Sequence, residues 1–320
     1  MKNIIIDTDA GNEIDDQFAL AYLLLSLKFD SDTLSVKNLG DSHQLSAITL
    51  APYKHSYIYK NERDRATLMR HSRNEVEAVC DLCGFDSKNF IFDGSLGYID
   101  KGSADMQNAA ADKIIEIAKK GKEKTIIIAI GAITNIALAI TKDPSIAQML
   151  DVIWLGTNQT TYYSVKEFNF KQDKKALKIV AESMADLTIV PAWSVASHLY
   201  VSNEIGELYL KGKGELGNYL HELLLKFDKG TILSGKKIWD IGAVAALLFR
   251  EAARLFDKTL LNKYAAMKIK NVKGFTVSDG GELIDDAHEK DVKMVVGFKA
   301  QEVLRDFFEK LDKHSKEKCG

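Results

Sequence analysis

Five acidic side chains fall within ten positions near the start of the chain: Asp7, Asp9, Glu13, Asp15 and Asp16. They stand between a short apolar run, Ile4-Ile5-Ile6, and a longer one, Phe18-Ala19-Leu20-Ala21-Tyr22-Leu23-Leu24-Leu25. The first run reads as a buried strand and the second as a buried helix, with Gly11 permitting the turn between them. Uncompensated charge packed beside such a core costs several kcal/mol per ion, so the cluster calls for a cation. Carboxylates are hard oxygen ligands, the kind that suit Ca²⁺ or Mg²⁺. Asp9 leaves the strand in the turn, and Asp16 opens the helix, where the N-terminal partial positive charge also favours it. Helix capping alone uses one or two carboxylates, not four Asp in ten residues. Asp240 heads another apolar helix, Ile241-Gly242-Ala243-Val244-Ala245-Ala246-Leu247-Leu248. Alone it reads as an N-cap, but a cation needing about six to eight oxygens makes it a ligand. Glu167 and Asn169, one residue apart, project to the same side of an extended segment, an arrangement suited to a polyhydroxy ligand.

The elements that must position these groups alternate along the chain. Strand-like runs are Asn3–Asp7, Leu45–Leu50, Lys124–Ile130, Val152–Gly156 and Leu187–Val190. Helical patterns cover Asp15–Leu27, Glu62–Leu82, Ala104–Lys120, Lys174–Met184, Glu215–Phe227 and Lys237–Phe256. This alternation predicts a single α/β domain over residues 1–310, its mostly parallel sheet covered by helices on both faces. Tyr264 to Phe298 reads as a small β-rich hairpin or loop at the domain edge, and residues 311–320 as a polar, frayed tail. Ligands of open parallel sheets bind outside the carboxyl ends of the strands. Asp7-Thr8-Asp9, Gly131-Ala132-Ile133-Thr134-Asn135 and Gly156-Thr157-Asn158 should therefore converge on one rim.

Of the 320 residues, 46% are hydrophobic and 28% charged, an ordinary globular balance. The net charge of −2 gives no electrostatic reason to expect nucleic acid or an anionic membrane as partner. No apolar run approaches the ~20 residues of a membrane span. Met1-Lys2-Asn3 leads directly into the first strand, without the pattern of a secretory signal, and the cysteines are few, so a cytoplasmic location is expected. Cys80 and Cys83 form a C-x-x-C at a helix end with no second pair to complete a zinc tetrahedron, and read as small helix residues.

Together these motifs resemble the inosine–uridine-preferring nucleoside hydrolase family. The likeness rests on Asp7-Thr8-Asp9-Ala10-Gly11 with Asp15-Asp16, on Gly131-Ala132-Ile133-Thr134-Asn135-Ile136-Ala137, on Glu167-Phe168-Asn169 with Asp173, and on Asp240, in the family's order. It implies a nucleoside hydrolase-like fold related to the Rossmann type, and Ca²⁺-dependent hydrolysis of the N-glycosidic bond of ribonucleosides to free base and ribose. It implies Ca²⁺ rather than Mg²⁺, held by Asp9, Asp16, Asp240 and the backbone carbonyl of Ile130. Asp9 would also be general base toward the attacking water. Asp15, Glu167 and Asn169 would take sugar hydroxyls, with Asn158 as a further sugar ligand, while Asp7, Gly11 and Asn135 would support the turn. A homo-oligomer, dimer or tetramer, acting in nucleoside salvage is implied as well.

The departures from the family pattern are informative. Asn12-Glu13 enlarges the acidic turn by two residues, Ala10 replaces the usual Pro, and Ala51-Pro52-Tyr53 replaces the usual Gly-Asn after the second strand. Trp239 stands where many members carry the His that protonates the departing base, so that job has no assigned group. Trp239 reads either as a stacking surface for the base or as a core aromatic. His55 and Tyr98, the latter in the loop Asp93-Gly94-Ser95-Leu96-Gly97-Tyr98, are the candidate replacement acids near the base. Two rival readings exist. One is a haloacid-dehalogenase-like phosphatase using Asp7 and Asp9, with Ser278-Asp279-Gly280-Gly281 as its late acidic motif. The other is a Ca²⁺-dependent nucleoside- or ribose-binding protein without turnover.

Overall fold

The computed structural model describes residues 1–33, 37–158, 167–227, 234–255, 267–278, 282–286 and 290–317. Successive side chains of a strand point to opposite faces, and the first strand buries both. Ile4 and Ile6 join one hydrophobic cluster and Ile5 the other. A continuous apolar run of this kind belongs in a parallel sheet covered on both sides. The strands are β1 (Lys2–Thr8), β2 (His43–Leu50), β3 (Ile91–Asp93), β4 (Thr125–Ala129), β5 (Leu150–Leu155), β6 (Asp186–Val190), β7 (Tyr200–Ser202), β8 (Gly235–Lys237), β9 (Met267–Val272), β10 (Phe275–Val277), β11 (Leu283–Asp285) and β12 (Val292–Phe298). The helices are α1 (Asp15–Lys28), α2 (Arg65–Cys83), α3 (Ala109–Lys120), α4 (Thr134–Lys142), α5 (Phe168–Gln172), α6 (Lys174–Glu182), α7 (Asn203–Tyr209), α8 (Gly214–Phe227), α9 (Ile241–Leu255) and α10 (Ala300–Glu317).

Eight strands form one sheet in the order β3-β2-β1-β4-β5-β6-β12-β9, parallel throughout except for the edge strand β9. Helices α1, α2, α8, α9 and α10 contribute to the core on one face, and α3, α4 and α6 to the core on the other. Strand order reverses direction between β1 and β4, whose register pairs Ile4 with Ile126 and Asp7 with Ala129. That reversal opens a crevice at the carboxyl ends of the two strands. Two short antiparallel pairs, β10-β11 and β7-β8, lie outside the main sheet.

Two sequence expectations change here. The segment expected as an edge hairpin does supply the antiparallel edge, but β12 is also built into the main sheet, with Lys293 opposite Thr188 and Met294 opposite Ile189. The frayed tail is instead the end of α10, which continues through Glu317. Val303, Leu304, Phe307, Phe308 and Leu311 recur at helical spacing and bury one stripe of α10. Lys310 is also buried, paired with Asp306, which accepts a second hydrogen bond from Tyr22 Oη at 2.6 Å. Cys80 and Cys83 are buried at the end of α2, and burial pushes the Cys80 thiol up to about 12, away from redox reactivity. Cys319 lies outside the described residues. Among the described residues, no helix is long and apolar enough to cross a membrane.

Candidate active site

The three predicted turns meet at the crevice. A cavity of about 350 Å³ opens there, lined by Asp9, Asn12, Glu13, Asp15, Asp16, Tyr57, Ile130, Leu155, Asn158, Glu167, Phe168, Asn169, Ala192, Trp193, Trp239 and Asp240. Its size lies within the range of small-molecule sites. Its floor is acidic and its outer wall aromatic.

The floor is built by β1, the turn after it, and the start of α1. Gly11 takes φ +91°, a left-handed conformation that suits glycine, and bends the chain back over the sheet. Asn12 N donates to Asp9 O at 3.0 Å, and Tyr57 N donates to Asn12 O at 2.7 Å, so the enlarged turn is clamped on both sides. Asn12 Nδ2 donates to Asp9 Oδ2 at 3.1 Å. Gly131 is needed opposite: a Cβ there would meet Asp9 Oδ1 at 3.0 Å and the Ala51 Cβ at 2.9 Å. Thr8 Oγ1 donates to Asp16 Oδ1 at 2.5 Å.

Asp15, Asp16 and Asp240 each bring a carboxylate oxygen within 4.8 Å of the others, and all three are buried. Asp15, expected only as a sugar ligand, is one of the three, and Asp9 is near enough for its charge to act on Asp240 and for that of Asp16 to act on it. Burial pushes Asp15 up to about 6 and Asp16 to about 8, the latter helped by the charge of Asp15. Burial, then the charge of Asp16, raises Asp9 well above the usual carboxylate range. Asp240 is raised likewise, by burial and then by Asp15, Asp16 and Asp9. These shifts mark a cluster short of positive charge. Among the described residues its cationic partner is Lys236, buried, which pairs with Glu13 and lies 3.6 Å from Asp15. Burial opposes the Lys236 charge, but Asp15 and Glu13 outweigh it and hold its pKa above the ordinary value. One lysine does not balance Asp9, Glu13, Asp15, Asp16 and Asp240. The all-oxygen donor set, with the Ile130 carbonyl at the same cavity, fits a hard divalent cation.

Glu167 and Asn169 reach the cavity by a different route from the one expected. The segment is not extended: Glu167 caps the short helix α5 and accepts from Asn169 N at 2.8 Å and Phe170 N at 2.8 Å. It also accepts from Thr157 N at 3.3 Å. Thr157 has φ +66°, a strained conformation for a β-branched residue, held by this bond and by Ala192 N donating to Thr157 O at 2.9 Å. Burial pushes Glu167 up to about 7 against the pull of these backbone donors. Asn169 Nδ2 donates to Ile130 O at 2.9 Å and Leu155 O at 3.1 Å, so the Ile130 carbonyl already accepts one bond. Asn158 lines the cavity.

The supporting residues hold the loops. Asp7 Oδ1 accepts from Thr49 Oγ1 at 2.6 Å and from Asn135 Nδ2 at 2.9 Å, while burial pushes its pKa up to about 7. Asn135 also donates to Leu50 O and accepts from Ser95 N. Asp7 is buried and does not line the cavity, which leaves the phosphatase reading without its nucleophile. Asp279, Gly280 and Gly281, the rest of that reading, lie outside the described residues. Asp173 caps α6 and also accepts from Ile99 N, Asp100 N and Thr134 Oγ1.

Neither expected replacement acid reaches the cavity. Tyr98 is fully buried, its hydroxyl donating to Gln172 Oε1 at 2.6 Å, and burial raises its pKa. His55 is not among the lining residues, and its ring centroid lies 5.7 Å from those of Tyr57 and Phe168, which are. Trp239 lines the cavity, is half-buried and also packs against the hydrophobic core, so it meets both readings of it. Residues to which the sequence reading gave no role are Asn12, Tyr57, Phe168, Trp193 and Lys236. Trp193 follows the carboxyl end of β6, the rim where the topology rule would have found it. Its ring meets that of Trp239 edge-on at 5.5 Å.

An acidic, oxygen-donor floor lies at the switch point of a parallel sheet and is walled by aromatics. The sequence pattern of the inosine-uridine preferring nucleoside hydrolases matches residues 4–305, and the chain belongs to that family. It is a hydrolase acting on N-glycosyl compounds. It is similar to the Non-specific ribonucleoside hydrolase RihC of Escherichia coli (strain SMS-3-5 / SECEC), 25% identical over 258 residues, covering 77% of this chain and 78% of the relative. In fold it is similar to a Purine-Preferring Ribonucleoside Hydrolase from Gardnerella vaginalis, with TM-score 0.71, 20% identity, and coverage of 99% and 100% of the two chains. A plant nucleoside hydrolase, PpNRh1, shares the fold at TM-score 0.71 and 17% identity, covering 97% of this chain and 99% of its own.

Proposed function

We propose that the chain hydrolyses ribonucleosides to free base and ribose with the help of Ca²⁺ held by Asp15, Asp16, Asp240 and the Ile130 carbonyl, next to Asp9. The buried triad of carboxylates, raised by burial and by neighbouring carboxylates and not balanced by the single lysine beside it, carries this reading. A divalent ion bound there supplies charge that fixes a sugar diol and makes a neighbouring water more acidic. Asp9, oriented by Asn12, takes the proton of the water as it attacks the anomeric carbon. Asp15, Glu167, Asn169 and Asn158 present acceptors and donors to the sugar hydroxyls. The negative floor stabilises the positive charge that develops on the sugar ring as the glycosidic bond lengthens, the usual character of such transition states. Trp239 offers an indole face to the base, and Trp193, Phe168 and Tyr57 exclude water around it.

A panel of ribonucleosides assayed for ribose release, with and without chelator, tests this. The proposal expects release from at least one nucleoside, lost on chelation and restored by Ca²⁺. Nucleoside binding without reducing-sugar release under any metal condition would overturn it.

A further inference from the structure

The acidic floor accounts for attack on the sugar but provides nothing for the base, which leaves with the electron pair of the broken bond. Lys237 is not itself among the residues lining the cavity, but its ammonium rests on two that are. It is the last residue of β8, whose antiparallel pairing with β7 sets Lys237 opposite Tyr200. Its Nζ lies 3.9 Å from the Trp193 ring centroid and 5.2 Å from that of Trp239, the two indoles that line the outer cavity. Among the described residues it has no carboxylate partner. Lys236, its neighbour, is committed to Glu13, Asp15 and the Lys237 carbonyl. Cation–π contacts are individually weak, whereas a hydrogen bond from an ammonium to an anion is strong. An ammonium parked on two rings can therefore be drawn from them by an electron-rich base.

We propose that Lys237 is the proton donor to the departing base. This rests on the hydrolase reading above. As the bond between the anomeric carbon and the base nitrogen breaks, its electron pair passes to the base, and the Lys237 ammonium transfers a proton to that base. The water oxygen bonds to the anomeric carbon and its proton goes to Asp9. The neutral Lys237 amine regains a proton from solvent, and Asp9 releases to solvent the one it took. The two indoles hold the ammonium at the base while keeping it away from the carboxylates of the floor.

The test compares two leaving groups in the metal-loaded enzyme: inosine, whose base needs a proton to depart, and 4-nitrophenyl riboside, whose phenolate does not. Lys237→Met keeps the aliphatic stem over the indoles and removes the charge. It is expected to lower kcat on inosine by about 100-fold, the usual worth of a positioned acid, while retaining most turnover on the nitrophenyl riboside. Lys237→Arg, which keeps a cation over the same rings but a poorer acid, is expected to fall between the two on inosine. Equal losses on both substrates, or no loss on either, would overturn the proposal. A wild-type enzyme that cleaves neither substrate would refute the hydrolase reading itself, so the two failures are distinguishable.

Discussion

The floor and the outer wall of the cavity are built on opposite principles. On the floor, Asp9, Asp16 and Glu167 are buried and fixed by hydrogen bonds from a carboxamide, a hydroxyl and backbone amides, and Asp7 and Asp173, outside the cavity lining, are held likewise. On the wall, Trp193 is 56% exposed, Trp239 is half-buried, and both are held by ring contacts and two lysine ammonium groups. The difference follows from what each side must do. Catalytic carboxylates need sub-ångström placement and a low-dielectric setting, which only packing beneath them gives. A base-binding wall gains from broad apolar area and tolerates looser geometry. The comparison predicts that substitutions of the floor carboxylates act on kcat and substitutions of the wall aromatics on KM.

The largest expected effect is that of Asp9→Ala, which should abolish ribose release, a loss of at least ~1,000-fold, while circular dichroism shows an intact fold. Full turnover in this variant would remove Asp9 from the base role. Chelation comes next. It should silence the enzyme and lower its melting temperature, because a ligand at about 100 times its Kd contributes ~2.7 kcal/mol to stability. Lys236→Met sharpens the comparison within the floor. Removing one partner of a buried ion pair costs ~3–5 kcal/mol, so the chelated variant should melt well below the chelated wild type. Ca²⁺ should bind the variant more tightly, since the net negative charge rises; unchanged affinity by calorimetry would mean that Lys236 does not share the cation's field. Trp239→Ala should raise KM several-fold with little change in kcat, in line with ~0.5–1.5 kcal/mol for an aromatic contact. An unaltered KM with a collapsed melting temperature would instead mark Trp239 as a structural aromatic.

The smallest effect concerns pH. Glu167 has a folded-state pKa raised from 4.5 to about 7 by burial, so the native state binds its proton more readily than the unfolded chain. Its contribution is therefore fully present below about pH 4.5 and is lost as pH rises through about 7. Glu167→Gln should flatten that part of the stability profile, and parallel curves for the two proteins would show that Glu167 does not titrate there.

The same contrast explains what could be read before the structure was in hand. The floor was legible because Asp9, Asp15 and Asp16 adjoin apolar runs that declare their own burial, and because a parallel sheet sends strand ends to one rim. Of the wall only Trp239 was legible, since Trp193, Phe168 and Tyr57 come from three separate segments that only tertiary packing unites. Glu167 and Asn169 were found for an incorrect reason: their spacing suits a strand, but the Glu167 carboxylate satisfies the first amides of α5 and so selects a helix. Strand β12 and helix α10 were obscured by polar residues on their exposed faces, although the apolar stripe from Val303 to Leu311 carries the helical period.

Calorimetric titration of Ca²⁺ into the chelated protein, alongside Asp240→Asn, probes the shared cation most directly. The account predicts one saturable site in the wild type and a loss of affinity of at least about tenfold when Asp240 gives up its charge. No heat of binding in the wild type, or equal affinity in both proteins, would contradict it.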